Sequence, residues 1–318
     1  MISMKVGIGR IARIILGSLL FFTCATFIYR PGKATTPSHT SEGEKRLNVI
    51  FDLGGVIFDT HKTRTFWHLG PKALFYYWHG NRKNVKTIRS IFYTALNNIS
   101  QATTNQYGAQ DDEEHPLPQL LCDWLTGNKT PRELRKLVFN EIKQHSEWFE
   151  SKAEKQLALR TAKIVFTPEI FAHTRKLIGE TVDLIKECKE KGHRVFILSN
   201  WDTESFALLQ QKYANIFSLF DGIIISGHVH DLKPNQSIYK HLTNTLPPET
   251  CVLIDDQKEN LETAKRCGMH AILCKKKPGI LGSELNIDSM RRKLGRIEKN
   301  IVEIPLAKPE PQLSTPGP

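Results

Sequence analysis

One aspartate near the start of the chain stands in an unusual setting. Residues 51–60 read FDLGGVIFDT, so Asp52 ends an apolar run and comes just before a glycine pair. A carboxylate at the end of a buried strand is costly unless a cation or hydrogen-bond donors accompany it. This position therefore predicts a nucleophile or a metal ligand. Gly54 occupies the place two residues on where a partner acid would fit, and this absence needs an explanation.

Further polar groups end or follow other apolar runs of the chain. Parallel strands end at a common edge, and ligands bind outside those ends in open α/β sheets. We therefore expect the polar groups to face one crevice. They are Asp52 after the first run, Ser199 and Asn200 after the second, Lys233 after the third, and Asp255 and Asp256 after the fourth.

This combination of residue types predicts metal-assisted phosphoryl transfer. Converging carboxylates repel one another and raise one another's pKa unless a cation joins them, and oxygen ligands suit Mg²⁺. Asp52 would then attack phosphorus and form an aspartyl-phosphate that water hydrolyses. The Lys233 ammonium, the Ser199 hydroxyl and backbone N–H groups would hold the phosphate oxygens.

Five β-branched runs alternate with amphipathic segments and indicate strands buried on both faces of a parallel sheet. Strand alternating with helix predicts an α/β fold with a doubly wound, five-stranded, Rossmann-like sheet. The predicted strands cover residues 47–53, 194–199, 222–226, 251–255 and 271–274, and the predicted helices cover 168–191, 203–213, 236–246 and 257–267.

About 115 residues separate the first strand from the helix that leads into the second strand. This insert reads as a helical cap, because Thr130-Pro131-Arg132-Glu133 is a capping box with proline at the first helical position. The aromatic stretch at residues 66–79 is expected to form the core of this cap, with one or two side chains reaching the pocket. The alternative is a substrate-facing roof.

Four segments, FDLGGV, ILSNWD, KPNQSIY and VLIDDQKEN, carry a family resemblance. In this order they resemble the four motifs of the haloacid dehalogenase-like (HAD) hydrolase superfamily, in the branch with a helical cap after motif one and D-L-G-G-V as that motif. The resemblance covers about 47–60 and 175–275. It implies a Mg²⁺-dependent hydrolase, most simply a phosphatase that acts on a small phosphorylated metabolite through Asp52.

The resemblance also implies a role for each matching residue. Asp52 would be the nucleophile and a metal ligand, and Gly54 would offer its carbonyl to the metal. Asp256 would be a direct ligand, with Asp255 beside it as ligand or outer support. The remaining matches are Ser199 and Lys233 as phosphate-binding residues, Asn200 and the Gly55 amide as assistants, and Asn260 as a holder of metal-bound water.

Gly54 departs from the usual pattern, since most phosphatases of the superfamily have an aspartate there as general acid. Three interpretations stay open. A phosphatase would use another acid or a leaving group that needs little protonation, such as that of a sugar 1-phosphate. A 2-haloacid dehalogenase needs no such acid, although that branch usually has threonine in place of Val56. The third interpretation is a catalytically impaired domain kept for binding. Asp59 or His61 could replace the acid, but capping and solvation explain them more simply.

The N-terminus predicts a membrane segment. Residues 14–29 carry no charge and are bracketed by arginines, which favours a single-pass anchor with the catalytic domain outside the cytoplasm. The alternative is a cleaved signal and a secreted or periplasmic protein. The expected organisation is anchor or signal at 1–30, linker at 31–46, catalytic core at 47–60 and 175–290, cap at 61–174, and tail at 291–318.

Composition narrows the partners. The net charge is +11, but residues 1–46 hold seven Lys/Arg against two Glu, and no nucleic-acid-binding motif is present. We therefore expect no nucleic acid among the partners, and the sequence does not indicate an oligomeric state. The six cysteines are scattered without a C-x-x-C pair and read as small core residues.

Overall fold

A computed structural model describes residues 46–80, 87–102, 104–111, 113–279 and 282–301. The predicted anchor or signal at 1–30, nearly all of the linker and the end of the tail lie outside these residues. Within the described residues, no helix combines the length and the apolar character needed to cross a lipid bilayer.

The strands are β1 (Asn48–Phe51), β2 (Phe58–Thr60), β3 (Arg175–Leu177), β4 (Arg194–Ser199), β5 (Gly222–Ile225), β6 (Cys251–Asp255), β7 (His270–Leu273), β8 (Lys276–Gly279) and β9 (Gly282–Leu285). Five of them form one parallel sheet in the order β5-β4-β1-β6-β7. Strand β1 is central, and its Phe51 pairs with Ile197 of β4 and Ile254 of β6. The predicted α/β fold with a five-stranded parallel sheet is confirmed.

Helices surround the sheet and build the insert. The insert contains α1 (Lys62–Leu69), α2 (Pro71–Gly80), α3 (Ile88–Ser100), α4 (Gln119–Leu125), α5 (Pro131–Gln144), α6 (Lys152–Val165) and α7 (Pro168–His173), with a 3-10 turn at Ser146–Trp148. The sheet carries α8 (Gly179–Glu190), α9 (Thr203–Lys212), α10 (Ala214–Phe217), α11 (Ser226–Val229), α12 (Gln236–Thr243), α13 (Lys258–Arg266) and α14 (Ile287–Asn300), with a 3-10 turn at Pro248–Thr250.

The cap helices pack around a core of their own. Helix α5 begins with the expected capping box, in which the Thr130 hydroxyl accepts from the Glu133 amide and the Glu133 carboxylate accepts from the Thr130 amide. Leu134, Val138 and Ile142 then follow at helical spacing and are fully buried. They pack in a cluster with residues of α3, α4 and α6, so the cap is a helical bundle stabilised by apolar burial.

The prediction of one helix over residues 168–191 is wrong in its middle. Helix α7 ends at His173, and strand β3 then pairs antiparallel with β2 before α8 begins. The pairing brings the cap exit beside the cap entrance, with Asp59 opposite Lys176. Helical periodicity cannot reveal a three-residue strand whose partner lies more than a hundred residues away.

The aromatic stretch at 66–79 is not the cap core that the sequence suggests. Leu69 and Tyr77 are buried, but five aromatic side chains of α1 and α2 are exposed by 44 to 72% of their surface. These five are Phe66, Trp67, Phe75, Tyr76 and Trp78. The two helices therefore attach to the cap by a narrow apolar face and present their rings outward.

The sheet is buried on both faces, and α14 covers part of one of them. Ile287, Met290 and Leu294 of α14 pack in the same cluster as the β1 residues Val49 and Phe51. The expected boundary between core and tail at residue 290 therefore falls inside a helix that contributes to the core.

The cysteines of the described residues serve mainly as packing groups. Cys122, Cys188, Cys251 and Cys274 are buried and Cys267 is half-buried, and all five are free thiols. Burial raises the pKa of the Cys122 thiol to about 12 and that of the Cys251 thiol to about 11. These thiols are therefore protonated at neutral pH.

Candidate active site

Three carboxylates meet at the carboxyl edge of the sheet. Asp52 follows β1, Asp255 ends β6 and Asp256 comes next, and one carboxylate oxygen from each lies within 4.8 Å of the others. The pairing of β1 with β6 brings these strand ends together. Asp52 is 7% exposed and Asp255 is fully buried, so the repulsion among the three charges is poorly screened by water.

Lys233 lies between two of these carboxylates. Its Nζ donates to Asp52 Oδ1 at 2.8 Å and to Asp255 Oδ2 at 2.6 Å, and its side chain is buried. Burial raises the pKa of Asp52 and outweighs the lowering by Lys233, while Asp255 raises it further. Burial lowers the pKa of Lys233, but the two carboxylates more than offset this and leave it above its usual value. One ammonium among three acids leaves the site short of positive charge.

The oxygens of Asp255 are already surrounded by donors. Oδ1 accepts from the Gln257 amide at 2.9 Å and from Asn260 Nδ2 at 3.1 Å. Oδ2 accepts from Lys233 Nζ and from the same Asn260 amide group. Asp255 was expected as a metal ligand or an outer support, and these contacts favour support. Asp52 and Asp256, unlike Asp255, line the cavity described below, so they are the carboxylates best placed for a cation.

Asn260 leaves one polar atom without a partner. Its Nδ2 donates to Asp255 and to Gln257 Oε1, whereas its Oδ1 is buried and accepts no hydrogen bond from the described protein atoms. Buried acceptors are almost always paired with protein or water. The orphan oxygen therefore lies where a water molecule or a hydrated cation would complete the site.

Asn200 was expected to assist in phosphate binding, but its side chain holds the protein backbone. Its Oδ1 accepts from the Lys233 amide at 2.8 Å, and its Nδ2 donates to the Lys233 carbonyl at 2.9 Å. This two-point clamp fixes the segment that carries the lysine. Asn200 also lines the cavity described below, so its main contribution is to position Lys233.

Ser199 lies beside the predicted nucleophile. It ends β4 with its side chain buried, and its Oγ accepts from the Leu53 amide at 3.4 Å. A hydrogen bond from the hydroxyl to Asp52 lowers the pKa of that carboxyl. Ser199 is not among the described residues that form the cavity wall. Its hydroxyl instead contacts Asp52 and the loop that follows it at Leu53.

The role of Gly55 differs from the expected one. Its amide, predicted to contact phosphate, donates to the Phe58 carbonyl at 2.8 Å and closes a turn. A Cβ at this position would lie 2.0 Å from Asp256 Oδ2, and the backbone is left-handed with φ +70°. Glycine is therefore required here because only a residue without a side chain lets the Asp256 carboxylate approach the loop.

Gly54 is sterically unconstrained by comparison. A Cβ there would lie 3.6 Å from Trp201 Cζ3 and 3.8 Å from Asp52 Oδ2, which are ordinary van der Waals separations. The backbone of Gly54 forms an isolated bridge with Phe58. A lack of space at the Cβ position therefore does not account for the missing acid.

Comparison with known proteins identifies the family of this chain. The model of the haloacid dehalogenase-like hydrolase family matches residues 48–268, which include every residue of the cluster. The chain belongs to this family. The acids and the lysine of this HAD-like hydrolase all lie within the matched segment.

Two curated relatives match only in part. Drimenol cyclase drtB from Aspergillus calidoustus is 30% identical over 128 residues, which are 36% of this chain and 24% of that protein. Bifunctional epoxide hydrolase 2 from Rattus norvegicus is 36% identical over 90 residues, which are 27% of this chain and 16% of that protein. The matched part spans about a quarter or less of each relative.

Two solved structures are similar in outline. A HAD family enzyme, bt-2542, from Bacteroides thetaiotaomicron, crystallised with magnesium and inorganic phosphate, is 17% identical, with 72% of this chain and 94% of that chain covered and a TM-score of 0.45. A HAD phosphatase from Thermococcus onnurineus is 17% identical, with 78% and 98% covered and a TM-score of 0.40.

A cavity of about 370 Å³ opens over the carboxylates of this HAD-like hydrolase. The sheet contributes Asp52, Lys233 and Asp256 to its wall, and the cap contributes Gln110 and Leu117. The cap is held over the core by hydrogen bonds, since Ser226 Oγ donates to the Leu125 carbonyl at 2.7 Å and the Lys258 ammonium pairs with Glu114 at 2.6 Å. The cavity is thus enclosed by both parts of the protein.

Arg175 is a wall residue that the motifs did not indicate. Its Nη1 donates to Thr60 Oγ1 at 2.8 Å, and its guanidinium lies 4.3 Å from the centre of the Phe171 ring. Burial lowers the pKa of Arg175 to about 10, with Asp59 partly opposing, so the group is a cation at neutral pH. Arg175 lies on β3, the strand that the sequence did not predict. The periodicity of apolar residues in the sequence does not indicate that this arginine reaches the cavity.

The two residues considered as substitute acids lie in different places. Asp59 lines the cavity, and its Oδ1 accepts from the Thr60 amide at 2.8 Å. His61 caps α1, where its Nδ1 accepts from the Arg64 amide at 3.4 Å, and it is not part of the wall formed by the described residues. Asp59 is therefore the better placed of the two for contact with substrate.

Proposed function

We propose that this HAD-like hydrolase is a Mg²⁺-dependent phosphatase that hydrolyses a small phosphorylated metabolite through an aspartyl-phosphate on Asp52. The observation that carries the proposal is the convergence of Asp52, Asp256 and Lys233 on one small cavity. Two carboxylates for a cation, one of them also a nucleophile, and an ammonium for phosphate oxygens are what this reaction requires.

The residues fit a magnesium ion. Asp52 and Asp256 would bind it, and the Gly54 carbonyl would complete a set of hard oxygen ligands. The unpartnered Oδ1 of Asn260 offers a place for one of its waters. When bound, Mg²⁺ neutralises the carboxylates and the phosphoryl oxygens, so that an anionic nucleophile and an anionic substrate can approach each other.

The chain's own groups account for the transfer. The Lys233 ammonium holds Asp52 at Oδ1, which leaves Oδ2 on the side of Gly54 for attack on phosphorus. A bond from Oδ2 to phosphorus forms while the bond from phosphorus to the leaving oxygen breaks. Water then attacks the phosphorus of the aspartyl-phosphate, which releases inorganic phosphate and restores the Asp52 carboxylate. Lys233 offsets the charge on the transferred group in both steps.

The cavity supports a small anionic substrate. Its volume is about 370 Å³, at the lower end of the range of ligand pockets, and its wall includes a second cation, the half-buried Arg175. The guanidinium is available to a hydroxyl or an anionic group at the far end of the substrate. The class of substrate that fits is a phosphorylated sugar or acid of a few carbons.

The absence of an acid at Gly54 restricts the leaving group. A phosphatase with aspartate there donates a proton to the departing oxygen, and such catalysis is worth about 10²–10⁴-fold. This chain would act best on a phosphate whose leaving oxygen needs little protonation, as in a sugar 1-phosphate. Asp59 is an acid on the cavity wall that could supply a proton in place of residue 54.

The test is phosphate release by the purified full chain from a panel of phosphorylated metabolites and a chromogenic phosphate ester, with Mg²⁺ or with EDTA. We expect release that requires Mg²⁺ and is lost in Asp52→Asn. The matched control is Asp183→Asn, which removes an exposed carboxylate of α8 outside the cavity wall and should leave the rate unchanged.

Two outcomes would favour the alternatives left open by the sequence. Binding of Mg²⁺ and beryllofluoride without turnover of any phosphate ester would support a catalytically impaired binding domain. Chloride release from 2-haloacids, lost in Asp52→Asn, would support a dehalogenase-type hydrolase.

A further inference from the structure

The cap presents an aromatic surface on the helices α1 and α2. It consists of Phe66, Trp67, Phe75, Tyr76 and Trp78, and Trp78 is the most exposed, at 72% of its surface. A groove of about 780 Å³ runs along four of these rings, all except Trp67, with Pro71 and Leu74 in its wall. Contiguous large apolar groups of this kind on a protein surface mark a site of contact with a partner or a membrane.

The aromatic surface is not part of the catalytic cavity. None of its five residues belongs to the cavity wall that the described residues form. Leu69 and Tyr77 alternate with the exposed rings and are buried, so α1 and α2 are fixed to the cap on one side and face outward on the other. Catalysis within the cavity does not explain the exposed rings.

The segment of the chain that carries this surface has charges of one sign. Residues 61–110 contain seven Lys/Arg and no Asp or Glu, although the whole chain has a net charge of only +11. Lys62 and Lys72 are exposed on α1 and α2 themselves, and Lys72 borders the groove. Clustered cations beside an apolar surface attract an anionic partner.

Trp and Tyr side chains with flanking Lys and Arg are typical of helices that lie in the headgroup region of a bilayer. A second observation points the same way, because residues 14–29 of the same chain are uncharged and bracketed by arginines. Single weak membrane signals give reversible binding, and two signals together give stable association. We propose that the aromatic surface lies against the headgroups of an anionic lipid bilayer.

This contact is independent of the phosphatase proposal, since it involves no residue of the catalytic cavity. It would hold the cap close to the membrane, with Trp67 and Trp78 inserted at the level of the headgroups and the lysines paired with anionic lipids. The proposed partner is a lipid surface. The test below distinguishes it from a second protein, or a segment of the chain itself, that covers the aromatic surface.

Fluorescence quenching by brominated lipids tests the contact directly. The full chain is mixed with vesicles of phosphatidylcholine and phosphatidylserine whose acyl chains carry bromine near the headgroup. We expect quenching of the wild type that is largely lost in the double variant Trp67→Phe/Trp78→Phe, which keeps the surface aromatic. Trp148→Phe, a change to a half-buried cap tryptophan outside α1 and α2, should leave the quenching unchanged.

A second arm tests the forces. The variant Trp67→Ser/Trp78→Ser should lower partitioning into these vesicles by about tenfold or more, and vesicles of phosphatidylcholine alone should bind the wild type more weakly. Equal quenching in the wild type and in Trp67→Phe/Trp78→Phe would overturn the proposal. Protection of Trp67 and Trp78 from acrylamide without lipid would also overturn it, and light scattering would then show whether a second copy or the chain's own segment covers the surface.

Discussion

Gly55→Ala separates the steric role of this glycine from its backbone role. The alanine Cβ would lie 2.0 Å from Asp256 Oδ2, whereas Cβ contacts under 3.0 Å are essentially never seen. The carboxylate oxygen must therefore move by about 1 Å or more, and a displacement of about 1 Å in a catalytic group can cost about 10²-fold in rate. We expect both Mg²⁺ affinity and kcat/KM to fall by about 10²-fold.

The chain offers a matched control for the backbone strain. Gly192 has a φ of +77°, close to the +70° of Gly55, but a Cβ there meets nothing within 4 Å. Both alanine variants should lose about 1–2 kcal/mol in free energy of unfolding, because each places an L-residue in the left-handed region. Only Gly55→Ala also displaces a carboxylate of the site.

Calorimetric titration of Mg²⁺ and urea unfolding measure the two effects separately. We expect a large loss of Mg²⁺ affinity in Gly55→Ala and none in Gly192→Ala. The two variants should lose similar amounts of unfolding free energy from the backbone, and any additional loss in Gly55→Ala would come from the displaced Asp256 carboxylate. Wild-type Mg²⁺ affinity in Gly55→Ala would refute the reasoning, since it would show that the position of Asp256 does not depend on this glycine.

Three further predictions concern single groups of the structure. Lys233→Met leaves two buried carboxylates without their cation and should lower the free energy of unfolding by about 3–5 kcal/mol, whereas the change at the exposed Lys240 of α12 to Met should cost no more than about 0.5 kcal/mol; equal losses in urea unfolding would contradict the role of the ammonium. Gly54→Asp meets no close contact at its Cβ and should raise the hydrolysis of alkyl phosphates by about 10²-fold or more, with little change for a nitrophenyl ester. An unchanged ratio of the two rates would contradict the missing-acid explanation. Burial raises the pKa of Asp111, but hydrogen bonds from Arg89 and from backbone amides outweigh burial and lower this pKa below 3.8. The stability that the ionised carboxylate contributes is therefore present above pH 3.8 and is lost as the pH falls through the lower pKa of the folded state, so the difference in unfolding free energy between wild type and Asp111→Asn should shrink on acidification. A difference that grows on acidification would contradict this prediction.

Periodicity and strand-end logic predict the central sheet well. Strands buried on both faces have few polar interruptions, so the runs at 194–199 and 251–255 appear with the same bounds in the structure. The acids and the lysine lie together because the ends of parallel strands meet. Asp52 and Asp256 are near each other for that reason alone.

Features that depend on distant partners could not be read in this way. Strand β3 exists because residues 58–60 accept it as an antiparallel neighbour, and Arg175 reaches the cavity only through that pairing. The hydrogen bonds of Asn200 and Gly55 with the backbone likewise depend on turns whose geometry a motif does not specify. The exposed rings of α1 and α2 show that an aromatic run predicts apolar contact, but it does not tell whether the rings pack in the core of the cap or face outward.

The central claim is that Asp52 carries the phosphoryl group. Rapid acid quenching during turnover of a phosphate ester, followed by mass spectrometry of the peptides, should show one added phosphoryl group on the peptide that contains Asp52. The adduct should require Mg²⁺ and should be absent in Asp52→Asn. Turnover without any adduct on Asp52, or equal turnover by Asp52→Asn, would contradict the account.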